Sequence, residues 1–386
     1  MNSLHMIKDA VPQPHIAMPN KITAEGLLST APPERVFLLA NVLPLGVVGA
    51  LVATGGTGKG YAVSDIALSV ASGRDVFNGT YEVEEPGEVL IVSGEEDKDE
   101  QHRRLHAVSE KKFQSEQLSM EEIMQIEWRI HLMPSMGQEC LLVDDGIETL
   151  FLDHLLEEAK SIPNLKLIVL DPLRRFYNGE ENSSQATTVI VQAMELLATE
   201  TGATVLGVHH TSKPSNKGAS LDAHAARGSS ALTDGFRFQM NMARIGQKTA
   251  ERYGIPEDQR GFYVEMEVSK NNYAPPQAKR IILKRNGKGV LSYVDLEAQG
   301  AAVILSKAEE IAKYIEDMVA PDEGVLKAKF IVDNAWKNGL FGLSKTALRQ
   351  HLNMAIDKGL ICMKSASVQG KGKPPQVIFP KGNGAD

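Results

Sequence analysis

Between Gly46 and His210 short apolar runs alternate with amphipathic stretches. GVVGALVATG is apolar almost throughout and predicts a buried strand, and AVSDIALSVASG behind it has the spacing of a helix. GEVLIVSGEE predicts a second strand, KDEQHRRLHAV a polar helix, and IEWRIHLMP a third strand. LKLIVLD is strongly apolar, and after a loop come the helical stretch SSQATTVIVQAMELLATETG and the strand ATVLGVHH. Near-continuous apolar strands separated by helices predict a mostly parallel sheet covered on both faces.

The pattern then changes. TSKPSNKGASLDAHAARGSS has no apolar period and predicts a loop, whereas DGFRFQMNMARI, FYVEMEVSK, AKRIILK and GVLSYVDL alternate like antiparallel strands. Near residue 300 a second unit begins. LSKAEEIAKYIEDMV, AKFIVDNAWKNGLF and SKTALRQHLNMAIDKG predict three helices, and GLICMKS with PQVIF predicts a hairpin. Three helices followed by a hairpin is the winged-helix order. The expected organisation is a flexible arm over 1–21, an α/β core over 22–298, and a small α+β winged-helix-like domain over 299–386. No repeat of solenoid length occurs.

Composition narrows the classes. With 386 residues, 42% hydrophobic and 23% charged, the chain is long enough for two or three domains of roughly 150 residues and is not a disordered type. The net charge of −8 argues against a protein that coats nucleic acid with its whole surface. That charge is uneven. From Leu343 to Asp386, seven Lys/Arg face Asp357 and Asp386, a net +5, so the rest of the chain carries −13. Cys140 and Cys362 are too far apart for metal spacing and too few for a disulfide framework, which suits a reducing cytoplasm. No apolar run reaches the roughly 18 residues of a membrane span, and the N-terminus lacks a signal-peptide pattern, so no membrane partner is expected.

The sharpest chemical signal is ATGGTGKG, between an apolar strand and a helix. Glycines let the backbone N–H groups of Thr54, Gly55, Gly56, Thr57, Gly58, Lys59, Gly60 and Tyr61 turn toward a phosphate, with Lys59 adding a point charge. The pattern G-x-x-x-x-G-K-[ST] is met except at two places, Ala53 and Gly60. Gly60 matters more, because the usual hydroxyl there is a ligand of Mg2+. Nucleotide binding is therefore a firmer expectation than fast hydrolysis.

Acids and histidines end the neighbouring strands. Asp171 closes LIVLD, the pattern that holds Mg2+ through water beside a phosphate loop. Glu95, Glu96 and Asp97 follow LIVSG, where a carboxylate can orient and deprotonate a water, or merely favour the start of a helix. His209 and His210 end the strand after that of Asp171, in reach of a γ-phosphate.

LDPLRRFYNGEENSS, VHHTSK, ARGSS with DGFRFQ, VSKNNYAPP, GALVATGGTGKG, IVSGEED and QHRRLHA together resemble blocks of the RepA-type hexameric replicative DNA helicases of broad-host-range plasmids, in the family's order over about residues 22–295. The resemblance implies a RecA/DnaB-like core, ATP and Mg2+ as cofactors, a homo-hexameric ring on single-stranded DNA, and nucleotide held between subunits. It implies that Lys59 is the phosphate lysine, Glu96 the catalytic base, Asp171 the metal-side aspartate and His210 rather than His209 the γ-phosphate sensor. It puts Arg237 in the arginine-finger position, and Lys270 and Tyr273 near the nucleotide. Arg104 is a further match with no assigned role. The resemblance does not extend to the C-terminal unit.

For DNA, the loop Thr211 to Ser229 follows His210 and carries Lys213, Lys217 and Arg227, which suits gripping of phosphates without base reading. In the C-terminal unit Ser344 is a candidate cap for a helix bearing Lys345 and Arg349 on one face, and Lys371 and Lys373 would form a basic wing, which suits duplex DNA, although winged helices also bind proteins. Two functions fit: an ATP-dependent DNA helicase of a plasmid, phage or mobile element, and a nucleotide-switched DNA-binding regulator or loader.

Overall fold

The computed structural model describes residues 21–179, 184–210, 230–274, 280–319, 324–335, 339–365 and 374–381. By its internal contacts the chain divides into two units, 1–36 and 37–386. In the first, a turn is closed by bonds from the N–H groups of Ser29 and Thr30 to Gly26 O.

The second unit starts with the short antiparallel pair β1 (Phe37–Leu39) and β2 (Leu43–Pro44). Next come β3 (Val48–Ala53), α1 (Lys59–Ser72), β4 (Glu88–Ser93), α2 (Lys98–Lys112), α3 (Met120–Trp128) and β5 (Ile130–Pro134). The small hairpin β6 (Val143–Asp144) and β7 (Ile147–Glu148) leads to α4 (Leu150–Ser161), β8 (Leu165–Asp171), α5 (Ser184–Thr201) and β9 (Thr204–His210). Then follow α6 (Ser230–Gly235), β10 (Phe238–Arg244), α7 (Gln247–Arg252), β11 (Tyr263–Asn271), β12 (Ile281–Arg285) and β13 (Leu291–Tyr293). The last elements are α8 (Leu296–Met318), β14 (Val325–Leu326), α9 (Lys327–Asp333), α10 (Lys345–Asp357), β15 (Ile361–Ser365) and β16 (Gln376–Pro380).

Among the described residues nine strands form one sheet in the order β13-β12-β11-β10-β3-β9-β8-β4-β5. The six from β10 to β5 run parallel, and β11, β12 and β13 extend the sheet antiparallel. The α/β class with a mostly parallel sheet is the architecture read from the apolar runs. β10 differs from its reading: it pairs antiparallel with β11 but parallel with β3, because the chain returns to the edge of β3 before turning back.

All six residues of β3 are buried. Val48, Ala50 and Val52 pack on one face with α4 and α5 residues such as Leu155 and Leu197, and Leu51 and Ala53 pack on the other with Ala62, Ile66 and Val70 of α1. Alternation along a strand thus supplies two cores at once. Burying one such aliphatic side chain contributes about 1.5–3 kcal/mol, so a strand covered on both faces is anchored more firmly than its neighbours at the edge. A buried ion pair joins α1 to α2: Lys112 Nζ lies 3.1 Å from Asp65 Oδ1, which also accepts from Phe77 N at 2.7 Å. Burial raises the pKa of Asp65, against the pull of Lys112.

Some boundaries differ from the sequence reading. Ile126 to Trp128, read as strand, belong to α3, where Ser119 and Glu122 form a reciprocal cap that fixes a helix start. The middle C-terminal helix is only the seven residues of α9. The C-terminal elements have their own core, with Ile311 and Ile315 of α8, Phe330 of α9, Leu348 and Leu352 of α10, and Ile361 and Ile378 of the sheet β14-β16-β15. Among the described residues no helix is long and apolar enough to cross a membrane.

Candidate nucleotide site

β3 ends at Ala53 and α1 starts at Lys59, so the turn between them is short. Gly56 (φ 72°) and Gly58 (φ 101°) take left-handed conformations that a Cβ would strain. Thr57 is buried; its hydroxyl donates to Thr54 O at 2.8 Å and lies 2.7 Å from Thr54 Oγ1, which stiffens the turn. Gly58 caps α1 without a side-chain bond, and no acid sits in the first turn. The open N–H groups and the helix dipole therefore make this end of α1 receptive to an anion.

Lys59 Nζ lies 3.1 Å from Ala53 O, 3.3 Å from Thr54 O and 3.2 Å from His210 Nδ1. Burial lowers its pKa, while Asp171 and Glu95 pull it the other way. β9 pairs with β3 so that Ala53 stands opposite His210 and Val52 opposite His209. Alternation brings His210 to the lysine and buries His209, 1% exposed.

β4 and β8 lie side by side with Ser93 opposite Asp171. Gly60, Ser93, Glu96, Arg104 and Asp171 line one small cleft. Burial pushes Asp171 up to about 6, against the charges of Lys59 and Arg104. The three acids after β4 go separate ways. Glu95 Oε1 accepts from Arg175 Nε at 3.2 Å, Asp97 caps α2 by accepting from Glu100 N at 2.8 Å, and Glu96 Oε1 accepts from Arg104 Nη2 at 2.6 Å. Arg104 Nε also donates to Glu100 Oε1 at 2.8 Å. Burial opposes the charge of Arg104, but Glu96 and Glu100 outweigh it and hold its pKa above the usual arginine value.

The sequence reading missed two cations at the loop. Arg285 Nη2 donates to Gly56 O at 3.0 Å, and a Cβ built on Gly56 would lie 3.3 Å from Arg244 Nη2. Burial, then the nearby Arg244, lowers the pKa of Arg285. Neither has a local motif, since β10 and β12 meet the loop only through sheet order. Tyr61 packs with Leu68, Val108 and Val290, and the Arg104 Cζ lies 6.0 Å from its ring centre.

Arg237, Lys270 and Tyr273 are not brought to this loop. Arg237 N donates to Val48 O at 2.9 Å, at the opposite end of β3, about 15–20 Å along a six-residue strand. Lys270 pairs opposite Gln239, and its Nζ donates to Thr233 O at 2.9 Å and Asp234 O at 3.0 Å. Tyr273 follows two residues after β11 and is 38% exposed. The three form a second group at the other end of the parallel strands.

Lys213, Lys217 and Arg227, and Lys371 and Lys373, lie outside the described residues. Lys345 and Arg349 are exposed on α10, whose start is capped by Ser344 accepting from Ala347 N at 3.2 Å. Burial, then Arg349, lowers the pKa of Lys327, so a third cation adjoins this helix.

A magnesium ion beside a phosphate loop ordinarily takes a hydroxyl from the residue after the lysine. The residues here do not fit that arrangement. Gly60 has no hydroxyl, and a Cβ built on it would collide with Arg104 Nη1 and lie 2.9 Å from Arg104 Cζ. Asp171 and Glu96 are the carboxylates of the cleft, and Glu96 is held by Arg104.

A parallel sheet whose central strand runs into a glycine turn and a lysine at a helix start defines a P-loop ATPase fold. The chain belongs to the AAA domain family (AAA_25), which matches residues 13–216. Nucleotide binding follows from that membership, with magnesium the usual companion. Among solved structures it is similar to a KaiC-like protein of the hyperthermophilic archaeon Pyrococcus horikoshii OT3, at 14% identity over 68% of this chain and 100% of the other, TM-score 0.45. It is also similar to a DnaB-like replicative helicase, at 12% identity over 72% and 68%, TM-score 0.45.

Proposed function

We propose that this ATPase is an ATP-dependent DNA helicase or translocase, built as a homo-oligomeric ring and serving replication of a plasmid, phage or mobile element. The observation that carries the reading is the separation of Arg237 from its own phosphate loop. Its side chain is 45% exposed, with Glu195 Oε1 4.0 Å away, and it stands a strand length from Lys59. A finger that cannot serve its own nucleotide serves a neighbour's, so each site is shared between subunits, with Lys270 and Tyr273 joining from the same side. Within one chain, Lys59 leaves its carbonyl partners for the terminal phosphates, and His210, 3.2 Å from that amine, feels the exchange. The segment after His210, with Lys213, Lys217 and Arg227, carries the change to the DNA backbone. Glu96 is the base that takes the proton of the attacking water. The C-terminal elements act as a winged-helix-like domain whose α10 offers Lys345 and Arg349 to duplex DNA.

The test is ATP hydrolysis by the full chain, with and without single-stranded DNA, alongside strand separation on a forked duplex. Single-stranded DNA should stimulate turnover, and Arg237→Ala should lower it by about a thousandfold or more, the scale of known arginine fingers. Normal turnover by assembled Arg237→Ala would reject the shared site.

A second reading, a nucleotide-switched DNA-binding regulator or loader, is favoured by Gly60, where a Cβ would meet the Arg104 guanidinium, because a site without the usual hydroxyl suits binding better than turnover. It expects nucleotide-dependent duplex binding with no fork opening.

A further inference from the structure

Arg104 is the residue for which the fold makes unusual provision. Gly60 leaves a slot in the first turn of α1, and the guanidinium of Arg104 fills it, so a side chain of any kind at 60 would displace it. Arg104 is only 19% exposed and comes from α2, which the buried Asp65–Lys112 pair pins to α1. Two carboxylates fix its plane: Nη2 donates to Glu96 at 2.6 Å and Nε to Glu100 at 2.8 Å. The third nitrogen, Nη1, is the atom closest to the missing Cβ, and it makes no hydrogen bond to any described residue. Two N–H donors on a permanent, weakly hydrated cation are therefore held, unspent, where a phosphate loop usually presents a hydroxyl and its metal ion.

We propose that Arg104 acts as the chain's own cation toward the nucleotide: through Nη1 it takes the phosphate oxygens that a hydroxyl-held ion would otherwise take, so that nucleotide binding depends little on divalent metal. This rests on the nucleotide-binding reading of the loop and adds which group meets the phosphates there. Arginine suits the position because its fork stays charged at every physiological pH and matches phosphate oxygens. Glu96 and Glu100 hold the fork with two other nitrogens, so it can bind phosphate without leaving them.

The experiment is direct titration of the full chain with a fluorescent ATP analogue, in excess magnesium and in EDTA. Wild type should bind with affinities within about threefold of each other in the two buffers, whereas Arg104→Ala should lose about tenfold or more in EDTA, the scale of one charge-assisted hydrogen bond. Gly60→Ser reaches the same point without touching Arg104: its Cβ expels the guanidinium, so binding should become magnesium-dependent by about tenfold or more. Should Arg104→Ala fail to fold, Gly60→Ser decides alone. The proposal falls if wild type binds only with magnesium, or if either folded variant binds in EDTA as wild type does. Absence of binding in both buffers would instead reject the nucleotide site itself.

Discussion

Asp171 illustrates how a single side chain reports on its surroundings. Its carboxyl is raised from 3.8 to about 6, chiefly by burial. Below the unfolded value the group is neutral in both states and costs nothing. As pH rises through about 6, the folded protein must carry a buried charge that the unfolded chain carries in water, so stability is lost. The difference corresponds to about 3 kcal/mol. Asp171→Asn should thus raise Tm at about pH 8 and change it far less at about pH 4, read by thermal unfolding at both values. A Tm difference that is the same at both pH values would mean that the carboxyl is well solvated. Asp171, Glu96 and Lys59 were legible as strand-end and loop residues, because apolar runs and glycines mark where strands stop. Spacing alone, without the family resemblance, did not say which of Glu95, Glu96 and Asp97 faces the cleft, since that depends on Arg175, Arg104 and the α2 start, each a partner of one acid.

At the scale of elements, α2 decides what stands beside the phosphate loop. It is a polar helix with few buried residues, Gln101, Val108 and Lys112, so its hold on α1 depends heavily on the Asp65–Lys112 pair. Lys112→Ala leaves the Asp65 carboxylate buried alone and should destabilise the protein by about 3–5 kcal/mol, measured by urea unfolding. A loss below about 1 kcal/mol is what an exposed pair would give and would remove the clamp from this account. The helix itself was readable from KDEQHRRLHAV, but its docking was not: a lysine at the far end of a charged helix carries no local sign that it will be buried. α3 was misread for a related reason. Its Ile126 and Trp128 have strand-like composition, and the Ser119–Glu122 cap outweighs that preference.

Across the whole molecule, the two ends of the parallel strands carry separate parts of one proposed machine. Lys59, His210, Asp171 and Arg104 gather at the carboxyl ends, and Arg237, Lys270 and Tyr273 at the other. If neighbouring subunits join these halves, Lys59→Ala and Arg237→Ala chains are each inactive but complement one another. Mixing the two before assembly should restore turnover at those interfaces where an intact loop meets an intact finger. No recovery, with mixed assemblies verified by mass, would mean that the halves do not meet.

The sequence alone determined the class of this protein and the place of its loop. Apolar runs between helices require a parallel sheet buried on both faces, and ATGGTGKG between a strand and a helix requires a phosphate-binding turn, because both follow from spacing along the chain. It also exposed Gly60 as a departure. Only the tertiary structure decided what stands beside that departure. Arg104, Arg244 and Arg285 come to the loop from α2, β10 and β12, and Arg237 is carried away from it, because strand order and helix docking set those distances. Contacts between residues far apart in the chain are fixed by how whole elements bury their faces, which a local pattern does not encode.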